Sequence, residues 1–201
     1  MNIPILILAA GASSRMRGGD KLLEDVTGMP CLQVMATRAL ATGQPVLVTL
    51  PSVDHPRTRC LADLNVKVVE VPDAYLGMSH SLQRGIVALP HTAKGVMILP
   101  ADMPDITTQD MNEMLTAFSN TDALALRAAT EAGAQGHPII FDASLFVEFQ
   151  HLSGDIGAQS ILSKLGKNLA LHPLKGDRAR LDLDTPDDWS SWRAHSESVR
   201  S

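Results

Sequence analysis

Short apolar runs alternate with longer mixed segments along most of the chain. The run from Ile3 to Ala10 is almost entirely apolar, which is typical of a strand covered on both faces in a parallel sheet. Four further runs are each bounded by Gly, Pro, Asp or Asn: Val46 to Leu50, Val66 to Val71, Val96 to Leu99 and Ala123 to Leu126. Because a plausible helix separates each run from the next, the pattern predicts an α/β fold, a three-layer α/β/α sandwich with a Rossmann-like, mostly parallel sheet.

Three of the predicted helices have recognisable starts. Pro30 suits a first-turn position before a helix at Leu32 to Leu40. Thr107 and Asp110 form a capping-box pattern ahead of a helix at Met111 to Phe118. The sequence Thr185-Pro186-Asp187-Asp188 predicts the start of the last helix.

The chain length and the loosening of the pattern after Gly133 indicate a single domain. At 201 residues the chain is long enough for one sizeable core and too short for two comfortable domains. We predict one domain over residues 1–195, with residues 133–175 as a substrate-side segment. That segment contains a last strand at Leu169 to Leu174, and a frayed tail follows at residues 196–201.

Composition excludes several classes of protein. Hydrophobic residues make up 45% and charged residues 19%, which excludes a disordered chain. Lys and Arg total 17 against 22 Asp and Glu, so no global basic field is present to hold nucleic acid. No apolar run approaches the roughly 20 residues that span a bilayer, and the N-terminus has no basic region typical of a signal peptide. With only Cys31 and Cys60, neither a disulfide framework nor a zinc site is indicated, and we expect a cytoplasmic protein.

The segment after the first strand is rich in small residues. In open α/β sheets, ligands bind beyond the carboxyl ends of the strands. The residues from Ala9 to Ser14 let the backbone approach a ligand closely and form an anion-binding nest, and Arg15 and Lys21 add fixed positive charge. The spacing is neither that of a P-loop nor that of a dinucleotide-binding loop, since Leu22 follows Lys21 and Gly11 begins no Gly-x-Gly-x-x-Gly. The plainer alternative is a Gly/Ser turn beside two solvated cations.

Carboxylates follow two later elements. Asp102 lies in Pro100-Ala101-Asp102-Met103-Pro104, directly after an apolar strand, where a carboxylate can hold Mg²⁺. Asp182 and Asp184 point to one side of an extended segment and form a second metal arm, or else serve as cap residues before Thr185. The alternative for Asp102 is a structural role in a turn flanked by prolines.

A third element is predicted at the start of a helix. In Leu76-Gly77-Met78-Ser79-His80-Ser81-Leu82, free N–H groups and the hydroxyls of Ser79 and Ser81 face the edge of the sheet. Helix capping alone is the other interpretation of this sequence.

Taken in order, these motifs resemble a known family. The string Leu8-Ala9-Ala10-Gly11-x-Ser13-x-Arg15-Met16, followed by Lys21-Leu22-Leu23, is similar to the opening motif of nucleotidyltransferases of the molybdenum cofactor guanylyl- and cytidylyltransferase type. Five motifs between about residues 3 and 192 follow the family's order. The resemblance implies a sheet of the nucleotide-diphospho-sugar transferase type, with the triphosphate wrapped by the first loop.

The resemblance also implies roles for individual residues. It makes Arg15, Lys21 and Asp102 catalytic, and Asp102 and Asp184 the ligands of Mg²⁺. The nucleotide-binding residues it implies are Leu8, Ala9, Ala10, Gly11, Ala12, Ser13, Arg15, Lys21, Gly77, Met78 and Ser81. The elements Gly136-His137-Pro138 and Gly154-Asp155-Ile156-Gly157-Ala158 resemble two further family motifs, which implies that residues 133–175 form the acceptor-side segment and that His137, Asp155 and Gly157 bind the acceptor.

Two positions depart from the family's pattern. The sequence Arg17-Gly18-Gly19-Asp20 is one residue longer than the usual spacing before Lys21. Gln159 stands where the family carries an arginine after Gly-Ala, and Arg178 or Arg180 is a candidate to replace that cation.

The resemblance implies transfer of CMP from CTP to the phosphate of molybdopterin or molybdenum cofactor, with release of pyrophosphate. The Gly-Met-x-x-Ser-Leu stretch favours CTP over GTP or another nucleoside triphosphate, because it resembles the cytidylyltransferase branch. A molybdenum hydroxylase that receives the product is an expected partner, whereas nucleic acid and membranes are not. Two other hypotheses remain: transfer to another phosphate acceptor such as a sugar phosphate, and a non-catalytic carrier of molybdenum cofactor.

Overall fold

A computed structural model of the chain describes the backbone of residues 1–200 and the side chains of residues 1–196. The strands are β1 (Ile5–Leu8), β2 (Asp25–Val26), β3 (Met29–Pro30), β4 (Val46–Leu50), β5 (Lys67–Glu70), β6 (Gly95–Pro100), β7 (Ala125–Ala129), β8 (Gln135–Asp142) and β9 (Leu169–Pro173). The helices are α1 (Cys31–Leu40), α2 (Met78–Val87), α3 (Thr108–Ser119), α4 (Phe146–Phe149), α5 (Gln159–Leu162) and α6 (Pro186–Arg200).

Seven of these strands form one sheet in the order β5-β4-β1-β6-β8-β7-β9. β1 pairs in parallel with β4 and β6, β4 with β5, and β7 with β9, whereas β8 is antiparallel to both β6 and β7. Because β8 is antiparallel to both of its neighbours, β7 runs in the same direction as β6. The carboxyl ends of β1, β4, β5, β6 and β7 and the start of β8 therefore meet at one side of the sheet, here called the carboxyl edge.

Alternate side chains of the central strand enter two separate cores. In β1, Ile5 and Ile7 pack into the core beneath α1, α3 and Trp189 of α6, while Leu6 packs into the core beneath α2, α4 and α5. Both faces of the sheet are thus covered, which is why the strand is apolar throughout rather than alternating. The three-layer sandwich and the mostly parallel sheet are confirmed.

Some local expectations need correction. The helix expected between β4 and β5 is a 3-10 helix at Pro56–Leu61, and Pro30 precedes α1 instead of lying in its first turn. The small antiparallel hairpin of β2 and β3 has no counterpart in the expected elements, because strands of two residues carry no periodicity. The capping box of Thr107 and Asp110 is confirmed at the start of α3.

The C-terminal tail is described only in part. α6 continues to Arg200, but Ser201 and the side chains of residues 197–200 lie outside the description, so the frayed tail at 196–201 stays a prediction. Among the described helices, none combines the length and the hydropathy needed to cross a membrane.

Candidate active site

A buried arginine holds the loop after β1 from beneath. Arg57 is 1% exposed, and its Nη1 donates to the carbonyl oxygens of Ala9 at 2.6 Å and Gly11 at 2.8 Å. In a trans peptide the C=O and the following N–H point in opposite directions, so the carbonyl of Gly11 turned toward Arg57 aims the N–H of Ala12 away from it. Among the described residues, no hydrogen bond is formed by the backbone N–H groups of Gly11, Ala12 or Ser13. This loop therefore presents free donors to an anion.

The same arginine also ties the loop to its far end. Arg57 Nε donates to Asp20 at 2.7 Å, and its Nη2 donates to Ser13 Oγ at 2.9 Å and to Asp20 at 2.8 Å. Ser13 Oγ in turn donates to Asp20 at 3.2 Å. Burial by itself would raise the pKa of Asp20, but the bonds and charge of Arg57 outweigh burial and lower that pKa. The Ser13 hydroxyl is thus used inside the protein, and the nest is left to the backbone.

No motif in the sequence singles out Arg57, although this residue holds the first loop in place. Its partners are main-chain carbonyls and a carboxylate 37 residues away, so no local spacing connects them. Arginines are also rarely buried, so the sequence alone gives no reason to expect Arg57 in the interior.

The extra residue before Lys21 is absorbed by a tight turn. Arg17 has φ 50° and Gly18 has φ 96°, both in the left-handed region, and Gly19 N–H bonds back to the carbonyl of Met16 at 2.9 Å. Asp20 then caps the short 3-10 helix Lys21–Leu23 by accepting from Leu22 N–H at 3.0 Å. Lys21 consequently starts from a defined backbone despite the altered spacing.

Lys21 lies between the two carboxylates that the sequence singled out. Its Nζ contacts Asp102 Oδ2 and donates to Asp184 Oδ1 at 2.6 Å, and Arg15 contacts the other oxygen of Asp184 at 2.7 Å. Burial by itself would lower the pKa of Lys21, but Asp102 and Asp184 outweigh it and raise that pKa. Residues from three distant parts of the chain therefore converge on one point at the carboxyl edge.

Backbone contacts hold the carboxylates in this arrangement. Leu183 N–H donates to the carbonyl of Asp102 at 3.0 Å, which fastens the segment before α6 to the end of β6. Thr185 and Asp188 form the helix cap by reciprocal bonds of 2.8 and 3.2 Å. Because those two residues make the cap, the carboxylate of Asp184 is left to face Lys21 and Arg15.

The donor set fits a hard divalent cation. Asp102 Oδ1 is buried and has no hydrogen-bond partner among the described residues, so one lone-pair acceptor points into the site unsatisfied. Burial, together with Asp102 and Asp184, raises the pKa of neighbouring Asp182, as expected where several carboxylates share a small volume. Across the described residues no three His, Cys, Asp or Glu side chains converge as a complete cage. Mg²⁺ is commonly bound by one or two carboxylates plus substrate phosphates, which this set can supply.

The start of α2 packs against the segment 154–157. Gly77 has φ 125°, and a Cβ at this position would lie 2.3 Å from the backbone of Gly154, so only glycine fits. Ser79 N–H donates to the carbonyl of Gly154 at 3.1 Å, and a Cβ on Gly157 would lie 3.3 Å from the sulfur of Met78. The two motifs, far apart in the sequence, are therefore adjacent at the carboxyl edge.

One of the two serines of this segment does not line the edge of the sheet as expected. Ser79 is fully buried and Ser81 is 6% exposed, while Met78 is half exposed. The prediction that both hydroxyls line the edge is therefore wrong for Ser79, whose Oγ is enclosed without a partner among the described residues. Ser81 lies one turn further along the buried face of α2, and Asp155 is exposed beside Gly77.

His137 lies near the start of β8 and is half-buried. Its Nδ1 is buried without a partner among the described residues. Burial, reinforced by the charge of Arg127 and opposed by that of Asp102, lowers the pKa of His137 to about 4. Gly136 permits this packing, since a Cβ there would overlap the carbonyl oxygen of Ala179. The ring is therefore neutral at physiological pH.

Gln159, which stands where the family carries an arginine, contacts an arginine from a strand of the sheet. Gln159 Oε1 accepts a bond of 2.9 Å from Arg127, which comes from β7. Arg178 forms an ion pair with Asp110 at 3.2 Å, whereas Arg180 is exposed and lies close enough for its charge to act on Arg127. Of the two candidates to replace the cation, Arg180 is the better placed.

A cleft of about 350 Å³ adjoins the first loop on the side of β4 and β5. It is lined by Ala10, Gly11 and Ala12 from the loop and by His55, Pro72 and Tyr75 from the segments after β4 and β5. Of the predicted nucleotide-binding residues, Ala10, Gly11 and Ala12 thus border this cleft, and the sheet order puts the first loop and His137 on opposite sides of β6. Residues 77–81 and 155–157 form a third group beside α2.

Comparison with known proteins identifies relatives of this arrangement. Residues 5–169 match the family described as the MobA-like NTP transferase domain. Purine catabolism protein PucB of Bacillus subtilis is 27% identical over 207 residues, which cover 96% of this chain and 98% of that protein. Bifunctional protein GlmU of Desulfotalea psychrophila is 30% identical over 133 residues, 65% of this chain but only 39% of that longer protein.

Solved structures share the fold. Rv0371c of Mycobacterium tuberculosis has a TM-score of 0.83 at 22% identity, over 96% of this chain and 97% of that one. A complex of Rv0371c with manganese has a TM-score of 0.80, also at 22% identity, over 95% and 97% of the two chains. The likeness extends over nearly the whole of both chains, so the seven-stranded sheet is that of a known fold.

Proposed function

The chain belongs to the MobA-like NTP transferase family, and from that membership we propose that it transfers CMP from CTP to the phosphate of molybdopterin, with or without bound molybdenum, and releases pyrophosphate. At the coarser level it is a nucleotidyltransferase of that family. The observation that carries the proposal is the contact of Lys21 with both Asp102 and Asp184 at the mouth of the first loop.

The reaction is an in-line displacement at phosphorus. A phosphate oxygen of the acceptor forms a bond to the α-phosphorus of CTP, and the bond from that phosphorus to the bridging oxygen of the β-phosphate breaks. Pyrophosphate leaves with the electron pair, and no covalent intermediate with the protein is needed. Catalysis then depends on positioning and on charge neutralisation, which are the two things this site supplies.

The proposal gives each part of the site a role in binding or catalysis. The N–H groups of Gly11, Ala12 and Ser13 bind phosphate oxygens of the nucleotide, and Arg57 keeps those groups aimed outward. Lys21 and Arg15 supply positive charge beside the carboxylates. Asp102 and Asp184 would hold Mg²⁺ or Mn²⁺, and the ion would neutralise the α-phosphate as negative charge is redistributed. The manganese complex of Rv0371c supports a divalent ion in a protein of this fold.

CTP is proposed because of the residues at the start of α2. The Gly77-Met78-x-x-Ser81 sequence resembles the cytidylyltransferase branch, and the structure brings it to the carboxyl edge beside residues 154–157. The cleft bordered by Ala12 and Tyr75 is the space that we assign to the base. The loop contributes Ala10, Gly11 and Ala12 to the walls of this cleft, and we propose that main-chain groups of the loop read the base.

The acceptor is assigned to the other side of Asp102. His137, Asp155 and Gly157 are proposed to border it, with the neutral ring of His137 able to accept or donate a hydrogen bond without adding charge. Delivery of the product to a molybdenum hydroxylase remains part of the proposal.

The test is release of pyrophosphate by the purified full chain with Mg²⁺, across CTP, GTP, ATP and UTP, each with molybdopterin or with a panel of sugar phosphates. We expect release only when CTP and molybdopterin are both present. Release with a sugar phosphate instead would favour the other phosphate acceptor. Tight binding of molybdopterin with no pyrophosphate from any nucleotide would favour a carrier.

A further inference from the structure

Arg127 lies on β7, and its guanidinium reaches the carboxyl edge. Its Cα is paired with that of Ile139 on β8, but its Nε donates at 3.0 Å to the carbonyl of Gly136, which is three residues nearer the edge. Its Nη1 donates to the side-chain oxygens of Gln135 at 3.1 Å and Gln159 at 2.9 Å. Three neutral acceptors therefore hold the guanidinium in place, and no hydrogen bond of its Nη2 is found among the described residues.

This position is next to the proposed metal ligands. The register pairs Ile139 with Ile98 of β6, so continuing it two residues brings His137 level with Pro100, just before Asp102. His137 feels the charges of both Arg127 and Asp102. In the sheet order, β8 with His137 lies between β6, which ends before Asp102, and β7 with Arg127, so Arg127 is on the side of β6 away from the first loop.

Arg127 differs from the other cations of the site in having no carboxylate partner. Arg15 and Lys21 contact Asp184, and Arg57 contacts Asp20. For Arg127, no ion pair is found in the part of the chain that the structure describes. Burial, and after it the charge of Arg180, lowers the pKa of Arg127. A partly buried guanidinium held beside a second cation is a costly arrangement unless an anion binds there.

Arg180 is the second cation, and its place in the chain is informative. The carbonyl of Ala179 lies against the Cα of Gly136, the residue whose carbonyl holds Arg127. Arg180 is exposed and makes no side-chain hydrogen bond or ion pair among the described residues. Two residues later the chain enters the segment of Asp182 and Asp184. Arg180 is therefore close in sequence to the carboxylates of the proposed metal site.

We propose that Arg127 and Arg180 bind the phosphate monoester of the acceptor, and that Gln159 positions Arg127 for this contact. The inference rests on the proposed function, because it takes the acceptor to be a phosphate that attacks the nucleotide at Asp102. Two guanidinium groups match a phosphate dianion in charge and offer paired N–H donors. Where the family carries an arginine after Gly-Ala, this chain has Gln159, which instead holds an arginine brought in from β7.

The test compares three variants with one control in the full chain. Arg127→Gln and Arg180→Gln each remove one guanidinium, and Gln159→Glu adds a carboxylate that pairs with Arg127 and neutralises it. The control is Lys167→Gln, which removes an exposed cation before β9, at the opposite edge of the sheet. We expect each of the three variants to raise KM for molybdopterin about tenfold or more, while KM for CTP stays unchanged. Arg127→Lys should recover part of the loss, since it keeps the charge but not the fork.

Phosphate binding is measured separately from turnover. Inorganic phosphate is titrated into each protein and followed by ³¹P line broadening, with a CTP analogue carrying a methylene between its α- and β-phosphorus present to occupy the first loop. Wild type and the Lys167→Gln control should broaden the signal alike, and Arg127→Gln should broaden it much less.

The two proposals fail in different ways. Unchanged KM for molybdopterin in Arg127→Gln, while wild type still turns over CTP, overturns the arginine site and leaves the proposed function standing. A wild type that releases no pyrophosphate overturns the proposed function, and the phosphate titration then decides alone. In that case loss of broadening in Arg127→Gln supports the site as a phosphate site, whereas equal broadening overturns it.

Discussion

The two proposed halves of the site balance their charges differently. The nucleotide half is the first loop with Lys21 and its carboxylates, and the acceptor half is the region around His137, Arg127 and Arg180. In the nucleotide half, Arg15, Lys21 and Arg57 each contact a carboxylate, drawn from Asp20, Asp102 and Asp184. In the acceptor half, Arg127 is held by neutral groups and stands beside Arg180.

The difference is consistent in physical terms with the ligand that we propose for each half. A set of cations already neutralised by carboxylates has little net field for a bare anion, so its ligand should arrive with its own cation, as a metal complex of the nucleotide does. A pair of cations without carboxylates attracts a free phosphate directly. The two halves thus suit the two proposed substrates of nucleotidyl transfer, a metal complex of the nucleotide and an acceptor phosphate.

The largest effect is expected from breaking the balance of the nucleotide half. Asp102→Ala removes the contact of Lys21 and one of the two carboxylates, so the rate of pyrophosphate release should fall by at least about 10³-fold. Circular dichroism should show an intact fold, because the backbone bond from Leu183 to the carbonyl of residue 102 does not depend on the side chain. The control is Asp63→Ala, at an exposed position. Near-normal metal-dependent activity in Asp102→Ala would show that the metal assignment is wrong.

The second effect is on stability and falls on the same half. Arg57→Ala leaves the carboxylate of Asp20 partly buried and the carbonyls of Ala9 and Gly11 without their donor, so the free energy of unfolding should drop by about 4 kcal/mol. Urea denaturation measures this. Arg59→Ala, two residues away and exposed, is the matched control and should change the stability little. Equal losses in the two variants would mean that Arg57 does not organise the loop.

A third substitution tests how the start of α2 is joined to the acceptor half. Gly77→Ala places a Cβ 2.3 Å from the backbone of Gly154 at φ 125°, and we expect a loss of about 3 kcal/mol in the free energy of unfolding from strain and overlap together. Gly43→Ala is the matched control, since it has φ 76° but open space around it. Its loss should be only about 1 kcal/mol. If both substitutions cost the same, the contact between the two motifs contributes nothing.

Much of the fold could be predicted because it depends on local patterns. The strand at Val46–Leu50 was predicted with the bounds that the structure has, since its apolar run lies between two prolines. The reversal at β8 was not predictable in this way, because a buried strand has the same composition whichever way it runs. The 3-10 helix at Pro56–Leu61 was expected as an ordinary helix, since six residues are too few for periodicity to separate the two.

The sequence was more informative about the nucleotide half of the site than about the acceptor half. In the nucleotide half, Arg15 and Lys21 lie near the first strand in sequence, and a motif was enough to single them out together with Asp102 and Asp184. In the acceptor half, Arg127 of β7 and Gln159 of α5 are 32 residues apart and meet only because α5 packs against the sheet. Such a pair has no sequence signature, and the departure from the family's arginine at Gln159 was the only indication that something else supplies the charge. The roles of all these residues in binding and catalysis stay predictions.

The smallest effect concerns the acceptor half and appears as a dependence of stability on pH. Burial, aided by Arg127, lowers the pKa of His137 in the folded protein to about 4, whereas an unfolded histidine titrates near 6.5. As the pH falls below about 6.5, the unfolded state takes up a proton that the folded state refuses until about pH 4, so the folded state loses stability across this window. His137→Gln removes the proton-binding group, and the drop in the free energy of unfolding between pH 7 and pH 5 should therefore be smaller than in wild type by about 2 kcal/mol. Urea denaturation at both pH values, with His91→Gln at an exposed turn as the matched control, measures the difference. If wild type and His137→Gln lose the same stability, the surroundings of the histidine do not hold it neutral. Since His137 lies between Arg127 and Asp102, that result would weaken the contrast between a nucleotide half whose cations are paired and an acceptor half whose cations are not.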